Sequence, residues 1–260
     1  MSAVLKPRKS KPVKDRVSRE EWNLRVDLAA AYQLAALFKW SDLIYTHFSA
    51  RLPGSGEFLI NPYGLMFEEI TASNLIRIDH AGKVLEDPLG LGYNAAGFVI
   101  HGCVHQARPE IGCVIHTHTR AGVAVSAMKC GLLPISQHAM RVQRQVSYHD
   151  YEGIALDLDE RETMARNLGK TAKAMILRNH GLLTLGESVR EAFELMYYLD
   201  CACQIQVDAL AAGLDNVNQM SQKAGDSAAA QFERPGRPSA QKEWPALLRL
   251  LDRKGSNYRD

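Results

Sequence analysis

The sequence has 260 residues, is 46% hydrophobic and 23% charged, and carries a net charge of +2 at pH 7. This is the composition of an ordinary globular protein, and the small net charge argues against a dedicated nucleic-acid binder, which usually shows a strong basic excess. No apolar run reaches the ~18 residues needed to cross a bilayer, so we expect neither a membrane anchor nor a membrane partner. The five cysteines form no Cys-x-x-Cys pair, which predicts reduced core residues in a cytoplasmic protein.

The two ends of the chain differ in composition from its middle. Residues 1–18 are polar and basic and predict a disordered arm, with a subunit-wrapping or membrane-surface arm as the alternative. No apolar stretch follows these basic residues, so they are not expected to be a secretory signal. Residues 19–260 contain no repeat and no long linker, which indicates a single α/β domain with a C-terminal tail from about residue 215.

Hydrophobic periodicity and turn residues predict the elements of the first half of the chain. Ser18 and Glu21 form a capping box, which begins the first helix. Short apolar runs separated by Pro/Gly-rich or Gly-containing turns then indicate two hairpins. In chain order, the predicted elements are a helix over 18–38, strands over 45–52, 58–60, 75–78 and 83–85, and a helix over 94–107.

The same patterns predict alternating strands and helices in the second half. In chain order, these are a strand from 113 into His116, a helix over 121–128, an irregular loop or short helix over 136–144, a strand over 146–148, a helix over 159–168, strands over 174–177 and 182–185, a helix over 188–213, a polar loop over 215–239 and a helix over 244–251. Tyr258 is expected to lie in a frayed end.

Two histidines stand at the end of a central apolar strand, in the run CVIHTH at 113–118. Because side chains alternate faces along a strand, His116 and His118 point the same way and can offer ring nitrogens to one metal ion. A lone His-x-His is a weak pattern, since surface or core histidines also produce it. A third candidate, His180, follows the strand-like run at 174–177, so the three histidines form one set.

Four motifs, taken together, resemble the class II aldolase/adducin family over about residues 20–213. They are ARP at 107–109, VIHTH at 114–118, AVSAM at 124–128 and RNHGL at 178–182. The stretch 116–136 is especially similar to the head domain of adducins. The resemblance implies a three-layer α/β/α fold with a central mixed, mostly antiparallel sheet. It also implies a ring-shaped homotetramer with sites between neighbouring subunits.

In the sugar-phosphate aldolases of this family, zinc is held by the histidines that match His116, His118 and His180. The family's Glu, a metal ligand and acid/base, matches Gly97, which has no side chain to move a proton. The two phosphate-binding serines match residues 95–96, which are both alanine. We therefore expect metal binding to persist and sugar-phosphate aldolase activity to be lost. Relic histidines that hold no metal are the alternative.

Other pocket residues follow from the same resemblance. The turn at Tyr63 and Gly64 matches the sugar-phosphate turn of the aldolases, and simple packing in a turn is the alternative. His138 lies where the family places a residue of the adjoining subunit, with a loop or interface role as its alternative. His101 and His105 share a helix face at a spacing that can bind metal, but we expect them to pack on the helix surface.

These features predict a metal-binding protein with a small-molecule substrate, acting as an aldolase-like lyase on a non-phosphorylated oxo- or hydroxy-acid. Three imidazoles without a carboxylate favour zinc in an open, catalytic type of site, and the set also accepts Fe(II), Co(II) or Ni(II). Two alternatives stay open: a non-enzymatic, adducin-like scaffold, and an iron-dependent oxygenase on the same fold.

Overall fold

A single mixed sheet organises the structure, with one buried strand at its middle. The computed structural model describes residues 11–153, 158–232 and 241–260, and within these ranges eight strands form the sheet. In chain order, the strands are β1 (His47–Arg51), β2 (Phe58–Ile60), β3 (Ile76–Ile78), β4 (Val84–Glu86), β5 (Cys113–Thr117), β6 (Val146–His149), β7 (Ala174–Leu177) and β8 (Gly181–Gly186).

The strand order across the sheet is β4-β3-β2-β1-β5-β8-β7-β6. Neighbouring strands pair antiparallel everywhere except between β6 and β7, which are parallel. Both predicted hairpins are present, as β1–β2 and β3–β4. The prediction of a mixed, mostly antiparallel sheet is therefore confirmed.

Helices cover both faces of this sheet. In chain order, the described α-helices are α1 (Arg19–Leu37), α2 (Ala95–Ala107), α3 (Arg120–Ser126), α4 (Gln137–Val142), α5 (Leu158–Leu168), α6 (Val189–Leu210), α7 (Gln222–Phe232) and α8 (Glu243–Arg253). Helices α1, α3 and α6 pack against one face, and α2 and α5 pack against the other. The three-layer α/β/α prediction is thus confirmed.

The central strand β5 is buried on both faces, and its alternation separates two environments. Cys113 and Ile115 belong to the large apolar cluster under α1 and α6. Val114 belongs to the second cluster, under α2 and α5. His116 shares the face of Val114, because side chains two residues apart point the same way. A polar side chain is thereby placed under α2.

Serine N-caps begin the two longest described helices, and the cap at Ser18 was predicted. The Ser18 hydroxyl accepts a hydrogen bond from the Glu21 amide at 3.1 Å, and the Ser188 hydroxyl accepts one from the Glu191 amide at 3.4 Å. Each bond satisfies an amide that the first helical turn leaves without a partner. The Glu21 carboxylate does not complete the capping box, because it accepts from Arg25 instead.

Two predictions for the C-terminal part are wrong. Residues 222–232 of the expected polar loop form α7, an alanine-rich helix that packs on α4; residues 233–239 lie outside the described residues. Tyr258 is fully buried, not frayed. Its carbonyl accepts from the Ala72 amide at 3.1 Å, and the Asp260 carbonyl accepts from the Ser73 amide at 2.8 Å. These backbone bonds fix the last residues to the body of the protein.

The N-terminal segment also departs in part from its prediction as a disordered arm. Of the predicted arm, residues 1–10 lie outside the described part, but Val13 is buried and Arg16 forms an ion pair with Glu86.

All five cysteines are free thiols. The expectation that all are core residues is wrong for Cys130, which is exposed, and for Cys201, which is half-buried. Among the described helices, none is long and apolar enough to cross a membrane.

We predict that Arg25→Met will lower the free energy of unfolding by about 2–4 kcal/mol. Arg25 is fully buried and joins α1 to the β3–β4 hairpin: it donates to Glu21 and Glu86 at 2.8 Å each and to the Leu75 carbonyl at 3.0 Å. Removing it takes a charged donor from both carboxylates and from the carbonyl, and leaves Glu86 with Arg16 as its remaining partner. Urea denaturation measures the loss.

Arg77→Met is the matched control for this experiment. The Arg77 side chain is 33% exposed, and its nearest acidic oxygens lie 3.6–3.7 Å away. Such a loose, hydrated pair contributes roughly 0–1 kcal/mol. Equal losses for the two variants would contradict the special role given to the buried guanidinium.

Candidate metal centre

Three histidines meet at one edge of the β5–β8 pair. His116 lies within β5, His118 follows the end of that strand, and His180 lies in the turn between β7 and β8. Asn179 allows this tight turn by adopting a φ of +57°, a left-handed conformation that Asn tolerates. One ring nitrogen from each histidine lies within 4.8 Å of the others. The structure thus brings together all three predicted ligands.

Neighbouring groups fix which ring nitrogen faces the centre. His116 Nδ1 lies 3.0 Å from the Leu182 carbonyl, and His118 Nδ1 lies 2.8 Å from an Asp42 carboxylate oxygen. Because carbonyl and carboxylate oxygens only accept hydrogen bonds, both Nδ1 atoms donate. In the neutral rings each Nε2 therefore carries a lone pair, and these two Nε2 atoms are 2.9 Å apart.

This donor set fits a divalent cation. Two lone pairs that face each other at 2.9 Å repel unless a proton or a cation lies between them. Neutral imidazoles oriented by a carbonyl or carboxylate on the far nitrogen are also the usual form of histidine ligands in metalloproteins. Sequence reasoning did not find Asp42, because a lone Asp in a loop before β1 gives no pattern that points to His118.

Burial keeps two of the three rings, those of His116 and His180, uncharged. Loss of water lowers the pKa of His116 well below its usual value, and the neighbouring His180 lowers it further. Burial, followed by repulsion from His118, lowers the pKa of His180 to about 4. At neutral pH these two imidazoles are therefore unprotonated, which is the state that a metal ligand requires.

A fourth histidine, His47, lies beside the three and was missed by sequence reasoning. In the β1–β5 register His47 is directly opposite His116, and the two ring centroids are 5.2 Å apart. The His47 ring also covers Gly97 of α2. A methyl side chain at residue 97 would lie 2.5 Å from His47 Nε2 and still closer to Cδ2, so the His47 ring would have to move to admit any side chain there.

His47 belongs to a buried polar row that runs between β1 and α2. His47 Nδ1 lies 2.8 Å from His101 Nε2, and Ser49 Oγ lies 2.6 Å from His101 Nδ1 and 2.8 Å from His105 Nε2. The prediction that His101 and His105 pack on the helix surface is wrong, because each is only 2% exposed. Their i, i+4 spacing was visible, but the buried strand face that they meet was not.

The rings of the remaining predicted pocket residues contact other aromatic groups within this chain, and the role of these residues in a pocket stays a prediction. The Tyr63 ring packs 6.4 Å from the Tyr45 ring, and Gly64 follows it with a φ of +106°. His138, on α4, packs 5.8 Å from the Tyr198 ring of α6. A role for His138 at the site of an adjoining subunit stays a prediction.

Comparison with known proteins assigns the family. The family profile described as "Class II Aldolase and Adducin N-terminal domain" matches residues 26–207. The chain belongs to the class II aldolase and adducin family. A protein of Pseudomonas aeruginosa, named provisionally as an aldolase class 2 protein, is 47% identical over 251 residues, covering 95% of this chain and 96% of that protein.

Solved structures of the family support the same assignment. A crystal structure of an aldolase II superfamily protein from Pseudomonas syringae is similar with a TM-score of 0.93 and 52% identity, covering 96% of this chain and 100% of that one. The L-fuculose 1-phosphate aldolase of Glaciozyma antarctica has a TM-score of 0.80 and 28% identity, covering 98% and 97%.

The adducin branch is also represented among the relatives. Alpha-adducin of Rattus norvegicus is 44% identical over 245 residues, covering 89% of this chain but only 33% of the adducin. The chain therefore spans about a third of that protein's length.

We predict that the protein loses stability as the pH falls from about 6.5 toward 4. Burial lowers the folded-state pKa of His105 to about 3 and that of His180 to about 4, from 6.5. Below pH 6.5 these histidines bind protons in the unfolded chain but stay unprotonated in the folded chain. Their contribution to the free energy of unfolding is therefore present above that pH and is lost as the pH falls below it. Urea denaturation at pH 7, 6 and 5 measures the decline.

His105→Phe provides the check on this pH dependence. Phe retains the ring that stacks on Phe58 but cannot bind a proton. The variant should reduce the slope of unfolding free energy against pH by about 1.4 kcal/mol per unit, the contribution of one proton. An unchanged slope would show that His105 is not responsible.

We predict that Asp42→Asn will weaken binding of a divalent metal by about 10- to 100-fold, as loss of such an orienting carboxylate does elsewhere. Asp42 holds His118 through its Nδ1. Competition with a chromogenic chelator measures the affinity, and Asp215→Asn, which changes an exposed acid elsewhere, is the control. Equal affinities in both variants and the wild type would exclude Asp42 from the site.

Proposed function

We propose that this chain is a divalent-metal-dependent lyase that acts on a carbon–carbon bond of a small, non-phosphorylated oxo- or hydroxy-acid. The observation that carries the proposal is the convergence of His116, His118 and His180, with their ring nitrogens within 4.8 Å of one another. Class II aldolases generally depend on a divalent metal. The three rings would hold it, with zinc the first expectation and Fe(II), Co(II) or Ni(II) also compatible.

A cation bound there would supply a Lewis acid that polarises a substrate carbonyl. The residues of this chain orient the ring nitrogens and keep the His116 ring neutral. Asp42 and the Leu182 carbonyl hold the two Nδ1 protons, so that both Nε2 atoms stay available as donors of lone pairs. Burial of His116 keeps protons from competing for those lone pairs.

The absence of a side chain at Gly97 supports an acidic substrate. Three neutral imidazoles leave the double charge of a cation uncompensated, and no carboxylate is supplied from α2 at this position. A carboxylate on the substrate would then be attracted to the site. The alanines at 95–96 carry no hydroxyl that could donate to a phosphate, which supports a non-phosphorylated acid.

A second candidate is a non-enzymatic, adducin-like scaffold. The specific observation in its favour is the 44% identity to alpha-adducin over 89% of this chain, which exceeds the 28% identity to the L-fuculose 1-phosphate aldolase. A homotetramer is part of both proposals, and light scattering after size-exclusion chromatography tests it. A cytoplasmic location belongs to both proposals as well.

We predict that protein purified without a His-tag binds about one divalent metal ion per subunit, and that His116→Ala and His180→Ala each abolish this binding. Each substitution removes one of the nitrogens on which three-point coordination depends. Metal analysis by mass spectrometry measures the content. His80→Ala, which removes an exposed histidine of the β3–β4 hairpin, should leave the content unchanged.

The same preparations decide between the candidate functions. Zn-, Co-, Ni- and Fe-reconstituted protein is screened in air with hydroxy- and oxo-acids, and release of a smaller oxo-acid that His116→Ala abolishes supports the lyase. Metal content far below one per subunit, unrestored by added ions, contradicts it. Consumption of oxygen with Fe(II) and without cleavage indicates the oxygenase. Full metal loading without turnover favours the scaffold.

A further inference from the structure

The buried polar row beside the three histidines has a definite direction. Its far end is the Ile111 carbonyl, which lies 3.3 Å from His105 Nδ1 and can only accept a hydrogen bond. In the neutral ring His105 Nε2 therefore accepts, and its 2.8 Å partner, the Ser49 hydroxyl, donates to it. With its single hydrogen used, Ser49 Oγ must accept from the next ring, His101.

The same logic carries the direction to His47. Because His101 Nδ1 donates to Ser49 at 2.6 Å, His101 Nε2 carries a lone pair, which accepts from His47 Nδ1 at 2.8 Å. The network thereby assigns the His47 proton to Nδ1 and leaves Nε2 unprotonated. Within the described residues no group hydrogen-bonds to this Nε2, and the atom is not among the fully buried atoms that lack a partner, so it keeps some contact with solvent.

A ring nitrogen that offers a lone pair at an accessible surface can accept a hydrogen bond from a ligand, and a ligand that displaces solvent there without a donor leaves the nitrogen unsatisfied at the cost of its desolvation. We infer that His47 Nε2 accepts a hydrogen bond from a hydroxyl group of the substrate, and so selects hydroxy-acids, or hydrated oxo-acids, over analogues without that hydrogen. The inference rests on the proposed function, since it assumes a small acid bound beside His116. His47 is a specificity residue, and His101, Ser49 and His105 are positioning residues.

The position of His47 explains why this role is tied to Gly97. The ring occupies the volume that any side chain at residue 97 would enter. The imidazole of His47 on β1 therefore fills the space that Gly97 of α2 leaves open. Gly97→Ala should therefore lower the melting temperature by roughly 4–8 °C, the effect of overpacking a chain of this size. In a His47→Ala background the same change should cause no further loss.

Gly102→Ala is the matched control on the same helix. Its new methyl group would lie 3.3 Å from the Phe98 ring, a contact that a small shift of the ring relieves. Alanine is also the better helix former at an interior position. A Gly97→Ala penalty that persists without the His47 ring would overturn the placement of His47 over residue 97.

The substrate contact is tested with a pair of probe ligands. Glycolate carries a hydroxyl hydrogen, whereas methoxyacetate has the same carboxylate and ether oxygen without it. Each acid is titrated by calorimetry into the Zn-loaded protein. Four forms of the protein are compared: wild type, His47→Phe, His101→Phe and His80→Phe. We expect the ratio of the glycolate affinity to the methoxyacetate affinity to fall about fivefold to tenfold in His47→Phe, the loss of one hydrogen bond.

The two other variants separate positioning from simple packing. His101→Phe removes the acceptor that fixes the His47 proton on Nδ1, so the ratio should fall there as well, while zinc content stays at one per subunit. His80→Phe, on an exposed hairpin, should keep the wild-type ratio. A variant that only loosens the fold would weaken both acids equally and leave their ratio unchanged.

Each outcome is decisive for the inference or for the proposed function. The inference is overturned if wild type and His47→Phe give the same ratio, or if neither acid binds. Zinc content and cleavage activity then test the lyase proposal independently. Protein that takes up no zinc overturns the lyase proposal, and the same titrations on metal-free protein then decide whether His47 Nε2 selects the hydroxyl.

Discussion

One hydrogen bond, from His116 Nδ1 to the carbonyl oxygen of Leu182, ties the candidate site to the sheet. A backbone carbonyl within a β-ladder neither titrates nor rotates, so the tautomer of the His116 ring is set by the pairing of β5 with β8. The same two strands place His118 at the end of one and His180 just before the other. The geometry of the site is therefore a consequence of strand register, and a slip by one residue would send His116 to the opposite face.

The second constraint is that the His47 ring fills the space left by the missing side chain at Gly97. A glycine in the first turn of α2 removes a side chain from that helix, but it does not open a hole, because β1 contributes an imidazole to the same space. That imidazole is a neutral group, and its Nε2 can accept a hydrogen bond.

Much of the fold could be predicted from local patterns, and the misses share a physical cause. Caps, apolar periodicity and turn glycines placed the eight strands and the long helices, and the alternation along β5 placed His116 and His118 together. Helix α7 was missed because its apolar positions are mostly alanine, which gives a weak hydrophobic pattern in an otherwise polar segment. Burial of Tyr258 depends on backbone bonds to 72–73 that no local pattern encodes.

The residues missed at the site depend on pairing between distant segments. His47 meets His116 only through the β1–β5 register, 69 positions apart in the sequence numbering. His101 and His105 were visible as a pair on one helix face, yet their environment depends on Ser49 of another element. A motif within one segment reveals ligands, whereas the groups that orient them come from the tertiary structure.

The buried row of His47, His101, Ser49 and His105 bears on whether this site is a working pocket or a purely structural element. Three desolvated imidazoles lower stability relative to an apolar cluster of similar volume, because burial of each is costly unless every nitrogen is paired. Here the pairing is complete along the row, which ends on the accessible lone pair of His47 Nε2 beside His116. A scaffold gains nothing from a row of buried imidazoles, since packing alone is served by Leu or Phe at those positions. A binding site gains a fixed acceptor whose direction the fold enforces, and the arrangement around His47 therefore favours a working pocket over a purely structural head domain.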